Sequence, residues 1–249
     1  MTRRPGLSAA ITAAITATLA ATLATLSAPS ASAADPMYQA PVVGQCFDMS
    51  PEELALPSYA EPAVDCAAEH TSQVIAVVPM PDGLSYESRG LARFALESCL
   101  PAQRAVLGTG QVGLRLTAFN LGYFGPTLEQ QAAGARWLRC DLVLGNTSKL
   151  QPLPDELKIG TYPFKKSVSR CLTGRDFHVT VCASRHTHRA TGGIRIARYA
   201  FPTEKEWQRI GTQRCRARTS SRSYRFGWPS KVAWKAGDHT LICYTQTRR

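Results

Sequence analysis

The sequence predicts an α+β protein: two tandem small disulfide-stapled domains, each a mostly antiparallel sheet with one helix. Two observations carry this expectation. The first is a cysteine–histidine pattern written twice in 249 residues. Cys66 is followed by His70 and then Cys99, and Cys182 by His186 and then Cys215, so both copies hold a Cys-x3-His and a 33-residue step to the next cysteine. Pro126, Gly134 and Cys140 return as Pro229, Gly237 and Cys243, with steps of 8 and 6 each time, behind Phe124-Gly125 and Phe226-Gly227. Internal repetition of this kind decides architecture before local propensity does. The second observation is an N-terminus built for export, followed by an even number of cysteines.

Arg3 and Arg4 precede an apolar Ala/Thr/Leu stretch from about Ala9 to Leu26, and Ala31 and Ala33 form an A-x-A site before Ala34. That order reads as a secretory signal peptide over residues 1–33. An uncleaved membrane anchor is the rival reading, since a span needs roughly 20 apolar residues. The Ala/Thr-rich composition and the cleavage site favour removal. The Arg pair invites a twin-arginine reading, but Pro5 follows it and the remainder of that signal is poor. No cysteine marks a lipoprotein site, and no later segment is apolar enough to cross a membrane.

All eight cysteines lie beyond the signal, which in an exported chain reads as four disulfides. Eight cysteines allow 105 pairings, and four within each repeated copy allow three. The local pattern favours Cys46–Cys66 with Cys99–Cys140, and Cys171–Cys182 with Cys215–Cys243. Val43 to Phe47 and Val64 to Cys66 read as strands flanking a loop, Cys99 ends a helical stretch, and Cys140 sits in a later apolar strand. Each bridge stabilises by about 3–4 kcal/mol through loop closure. Zinc is the competing use of Cys and His. The spacing is not that of a finger or knuckle, and an oxidising compartment takes the thiolates, so no metal or other cofactor is expected.

The first domain is placed at 41–145, a linker with Pro152 and Pro154 at 146–160, and the second domain at 161–247. Thr71 to Val78 has the β-branched content of a strand, closed by Pro79 and Pro81-Asp82-Gly83. Tyr86 to Leu100 carries a helical period and stops before Pro101. Gln111 to Phe119 and Trp137 to Leu144 read as strands. In the second copy Arg195 to Phe201 takes the place of the long strand. Thr203 and Glu206 form a capping box ahead of Trp207, Ile210, Arg214 and Cys215, and Val232 to Trp234 and Thr240 to Tyr244 close the copy as strands. Trp137 and Trp234 read as core.

Charge divides the chain. Residues 35–160 carry 8 Lys/Arg against 14 Asp/Glu, a net −6, and residues 161–249 carry 19 against 4, a net +15. Copies of one fold with opposite charge differ in surface rather than in folding. Outside the cytoplasm a basic half faces anionic lipid head groups or wall polymers, with Arg216, Arg218, Arg222, Arg225, Lys231 and Lys235 as candidate anion-binding residues. Interleaved Arg and aromatic residues over 218–226 resemble a single-strand nucleic-acid surface, but an exported chain is not expected to meet nucleic acid. A solvated arginine-rich loop is the plainer alternative, and the basic face could also dock on an acidic one, including the first copy.

No catalytic motif is present: there is no G-x-S-x-G, H-E-x-x-H, Walker or dinucleotide fingerprint. Bridged cysteines supply no nucleophile, and Gly108-Thr-Gly110 and Gly192-Gly193 are turn signals. His70 and His186 are the histidines the copies share. With no carboxylate or serine paired to them in both copies, they read as structural, each imidazole bonding nearby backbone. His186-Thr-His188 is at most a weak metal pair.

Val43, Gly44 and Cys46, then Val64, Cys66 and His70, then Cys99, then Trp137 and Cys140, resemble the septum formation-related domain of actinobacterial exported proteins. The second copy carries Cys171, Val181, Cys182, His186, Cys215 and Cys243. It has Val168-Ser169-Arg170 where the first has V-G before its first cysteine, and Trp234 is displaced relative to Trp137. The resemblance implies an exported or membrane-attached domain named after cell division, with no enzymatic activity assigned and no catalytic residue to carry over. The expected function is therefore a non-catalytic envelope protein, a binding or scaffolding module linked to septum formation or wall processes. The alternatives are a binder of anionic polymer or lipid through the basic copy, and a zinc-dependent hydrolase using the Cys/His sets.

Overall fold

The first sheet is built around its most apolar segment. In the computed structural model, which describes residues 35–247, Trp137 to Gly145 is buried at every position within β4 (Trp137–Asn146). A strand covered on both faces must be central, and β4 lies between β2 (Ser72–Pro79) and β3 (Phe119–Phe124). Two-residue β1 (Cys46–Phe47) adds to β2, and β5 (Lys149–Gln151) folds back on the end of β4. The order is β1-β2-β4-β3, antiparallel throughout.

The second sheet comprises β6 (Arg170–Thr173), β7 (His178–Val181), β8 (His188–Arg195), β9 (Tyr224–Gly227) and β10 (Thr240–Gln246), in the order β7-β6-β8-β10-β9. Without the edge strand β7, its order β6-β8-β10-β9 is that of the first sheet. Each half also has one long helix, α1 (Leu91–Leu107) and α4 (Glu204–Cys215), bridged to its central strand by Cys99–Cys140 and Cys215–Cys243. Cys46–Cys66 and Cys171–Cys182 complete the four disulfides, and no cysteine is free.

Three short helices go beyond the one-helix expectation. Gln111 to Arg115 forms α2 rather than a strand, and the strand begins only at Phe119. Lys231 to Lys235, read as a strand at Val232 to Trp234, is α5, started by the Ser230 hydroxyl accepting from the Ala233 amide. Between them α3 (Leu128–Ala132) starts at Thr127 with a capping box to Gln130, as α4 does at Thr203 with Glu206. The helix expected over 86–100 instead runs from Leu91 through Pro101 to Leu107. Losing one backbone bond at Pro101 is outweighed by burial of Gln103 and Leu107 in the next turn, and Gly108, at φ 63°, closes it. The long strand of the second half is 188–195, not 195–201. Gly192 and Gly193 lie within it, where a Cβ on Gly193 would meet Val112 of α2 at 2.7 Å. Those glycines permit a close approach rather than a turn.

Side chains from both halves enter one core. Leu100, Leu107, Phe119, Leu138 and Leu142 share it with Val168, Leu172, Val181, Ile242 and Tyr244. Along β10, Leu241 and Cys243 face α4 and pack with Trp207 and Trp234, while Ile242 and Tyr244 face the shared core. The layers therefore run α4, second sheet, α1 with α2, first sheet. The far face of the first sheet is covered by residues 47–59. The two halves are also stitched by backbone: Ala118 N–H donates to Val168 C=O at 2.8 Å and Arg170 N–H to Leu116 C=O at 2.9 Å. Residues 146–160, read as a linker, carry β5 and the buried Leu153, whose N–H donates to His70 C=O. The signal segment 1–33 lies outside the described residues.

Candidate binding surface and the buried polar groups

The repeated histidines occupy the same local structure. His70 Nδ1 lies 2.8 Å from Ala68 C=O and His186 Nδ1 lies 2.7 Å from Ser184 C=O, both rings being 6% exposed. Each closes the turn that follows its disulfide cysteine. With every sulfur in a disulfide, the Cys-x3-His sets offer imidazoles but no thiolate. Among the described residues no three His, Cys, Asp or Glu side chains stand close enough together to hold a metal ion. His188 packs edge-on to Phe177, and burial, then the Arg225 charge, holds it below the usual imidazole range.

A polar group that the apolar run of β4 conceals lies under the cover of the first sheet. Arg139 donates through Nε and Nη2 to both carboxylate oxygens of Asp141, at 2.7 and 2.9 Å, and Ser72 Oγ donates to Asp141 at 2.8 Å. The guanidinium is ringed by Phe47 at 4.5 Å, Phe124 at 4.8 Å and Tyr59 at 5.4 Å from the ring centres. Opposite charges two residues apart share one strand face, so Arg139-x-Asp141 was the available signal. Burial pushes the Asp141 carboxyl up against the pull of Arg139 and Ser72, and chiefly burial raises the Tyr59 phenol to about 12. The cluster is enclosed, so it organises the fold rather than meeting a ligand.

A second set of polar groups joins the halves. Arg115 of α2 reaches Asp238 at 3.2 Å, Asp238 in turn accepts from the Thr240 amide, and buried Arg170 donates to Thr117 C=O at 2.7 Å.

The six candidate anion-binding residues divide into two groups. Arg216 and Arg218 form the short 3-10 turn after α4, and Arg222 follows in the loop. Arg225, on β9, lies over the Phe177 ring at 3.4 Å, so its guanidinium is committed to an aromatic face. Lys231 and Lys235 are elsewhere: one turn apart on α5, they line an open cleft of about 400 Å3 with Arg93 of α1, Tyr199, Phe201, Trp234 and His239. None of the four arginines lines it. Beneath the cleft Trp234 stacks on His239 at 3.8 Å and meets Phe201 and Trp207 edge-on, and its Nε1 donates to Tyr199 C=O. Trp137 and Trp234 are both buried.

A family model described as Septum formation matches residues 43–225, a single span that crosses both halves. The chain belongs to the septum formation family. No curated protein and no solved structure matches it. In this family member, four disulfides accord with an extracytoplasmic, oxidising setting. Among the described residues no helix is long and apolar enough to cross a membrane.

Proposed function

We infer that this septum formation family protein is an exported, non-catalytic binding or scaffolding module of the cell envelope, acting in septum formation or associated wall processes. The observation that carries the reading is the pairing of all eight cysteines, which suits a scaffold working where thiols are oxidised. The two halves serve as copies of one disulfide-stapled unit, supported by their common strand order and helix-to-strand bridges. The decisive experiment follows an export-competent tagged chain in dividing cells. Enrichment at the septum supports the reading, and an even distribution along dividing cells overturns the division part of it.

A second reading concerns the partner: the basic half binds an anionic wall polymer or lipid. Its support is the net +15 of residues 161–249 together with the cationic cleft on α5. The test uses the full mature chain, because the halves share a core and the second half alone would expose it. Binding to acidic liposomes or wall polymer at low ionic strength, weakened by salt, is expected. No binding at low salt overturns it.

A further inference from the structure

We propose that the cleft between α1, the 199–201 loop and α5 is a binding site for an acidic polysaccharide, a sugar ring being held against Tyr199 and Phe201 while its acidic group meets Lys231 and Lys235. The proposal rests on the anionic-partner reading above and gives it a site and a ligand class. Tyr199 is fully exposed, at 101% of its reference area, on a loop anchored from below by the Trp234 indole bonded to its carbonyl. A fully exposed aromatic side chain on an anchored backbone is a surface with no use in the core. Phe201, half-buried, extends the apolar surface into the cleft.

The cations stand on the rim. Lys231 and Lys235 are exposed, and among the described residues neither is paired with a carboxylate, whereas Arg93 is held by Glu97 at 2.7 Å. Two exposed ammonium groups beside an apolar surface match a ring that carries its charge at the edge. The volume of about 400 Å3 lies at the small end of the range of ligand clefts, suited to one or two rings of a chain that enters and leaves through the open sides. Another cleft, of about 340 Å3 on the first half, is lined by Leu54, Leu56, Tyr86, Leu91, Leu121 and Tyr123 with no charged side chain.

The test is titration of the mature chain with polygalacturonate at low salt. Dextran serves as the neutral glycan, polyphosphate as charge without sugar, phosphatidylglycerol vesicles as lipid and a single-stranded oligonucleotide as nucleic acid. Polygalacturonate is expected to bind most tightly. Tyr199→Ala is expected to weaken it about tenfold, the scale of one aromatic contact, and Lys231→Gln with Lys235→Gln to weaken it comparably and reduce its salt dependence. Both variants alter exposed side chains, so an unchanged unfolding midpoint separates lost binding from lost fold. Equal or tighter binding of polyphosphate, vesicles or oligonucleotide overturns the polysaccharide assignment. Loss of binding in Arg216→Gln, Arg218→Gln and Arg222→Gln together, with the cleft variants unaffected, overturns the cleft while leaving the anionic-partner reading in place. Absence of binding to every anion overturns both.

Discussion

In the two sheets, the faces opposite the bridged helices are solved by different means. Counted from the bridged cysteine of the central strand, Arg139 and Asp141 of β4 correspond to Ile242 and Tyr244 of β10. In the first half this face holds a buried ion pair ringed by aromatic side chains and covered by the chain from 47 to 59. In the second, Ile242 and Tyr244 stand at these positions without an ion pair, and the face is covered by the first half itself. One strand order therefore supports a face covered by its own half and a face covered by the other. The lesson is that a common scaffold fixes where a face lies, and the residues at two positions decide what must cover it.

The largest effect that would break this comparison is at the ion pair. Arg139→Ala leaves Asp141 buried without its partner and is expected to cost about 3–5 kcal/mol of unfolding free energy, whereas Arg139→Met with Asp141→Leu removes both charges and should recover most of that loss. Denaturant unfolding of the two variants decides it. Equal losses would mean that the aromatic ring, not the pair, holds the cover.

The disulfides come next. Cys99–Cys140 closes 41 residues and Cys171–Cys182 closes 11. Replacing each pair by alanine should cost about 4 and about 3 kcal/mol respectively by loop-closure entropy, read from unfolding curves. A larger loss at the shorter loop would show that the small bridge holds the β6–β7 edge by packing.

Smaller still are the helix starts. Thr127→Ala and Thr203→Ala each remove a hydroxyl that accepts an N3 amide and should lower stability by about 1 kcal/mol, again by denaturant unfolding. The two boxes then part with pH. The second uses Glu206, whose carboxyl is held at about 2 by the Thr203 amide first, then by Arg198 and the Thr203 hydroxyl. Because that value is depressed from 4.5, its contribution is complete above pH 4.5 and is lost as pH falls through about 2. The first box uses neutral Gln130 and has no such dependence. Glu206→Gln should therefore flatten the acid limb of the stability profile, and Gln130→Glu should steepen it. Acid titration of unfolding midpoints would detect both, the smallest effects expected here.

The sequence by itself determined the features whose causes are local. The duplicated spacing led to the four disulfide pairs. The Thr203–Glu206 box, the turns around His70 and His186 and the β-branched run of β2 involve residues a few positions apart, so short-range chemistry specifies them. Tertiary structure decided the rest. Gly192 and Gly193 look like a turn until α2 is seen pressing on the strand, and Pro101 looks like a helix end until the burial of Leu107 is counted. Val232 to Trp234 has strand-like residues, but the capped start at Ser230 and the burial of Trp234 beneath the cleft make it helical. The six basic residues lie within twenty positions of one another, yet they separate because β9 lies between the arginine turn and α5. The cleft draws on Arg93 of one half and on Tyr199, Lys231 and Lys235 of the other. No linear pattern joins residues so far apart; only packing both halves around one core brings them to the same surface.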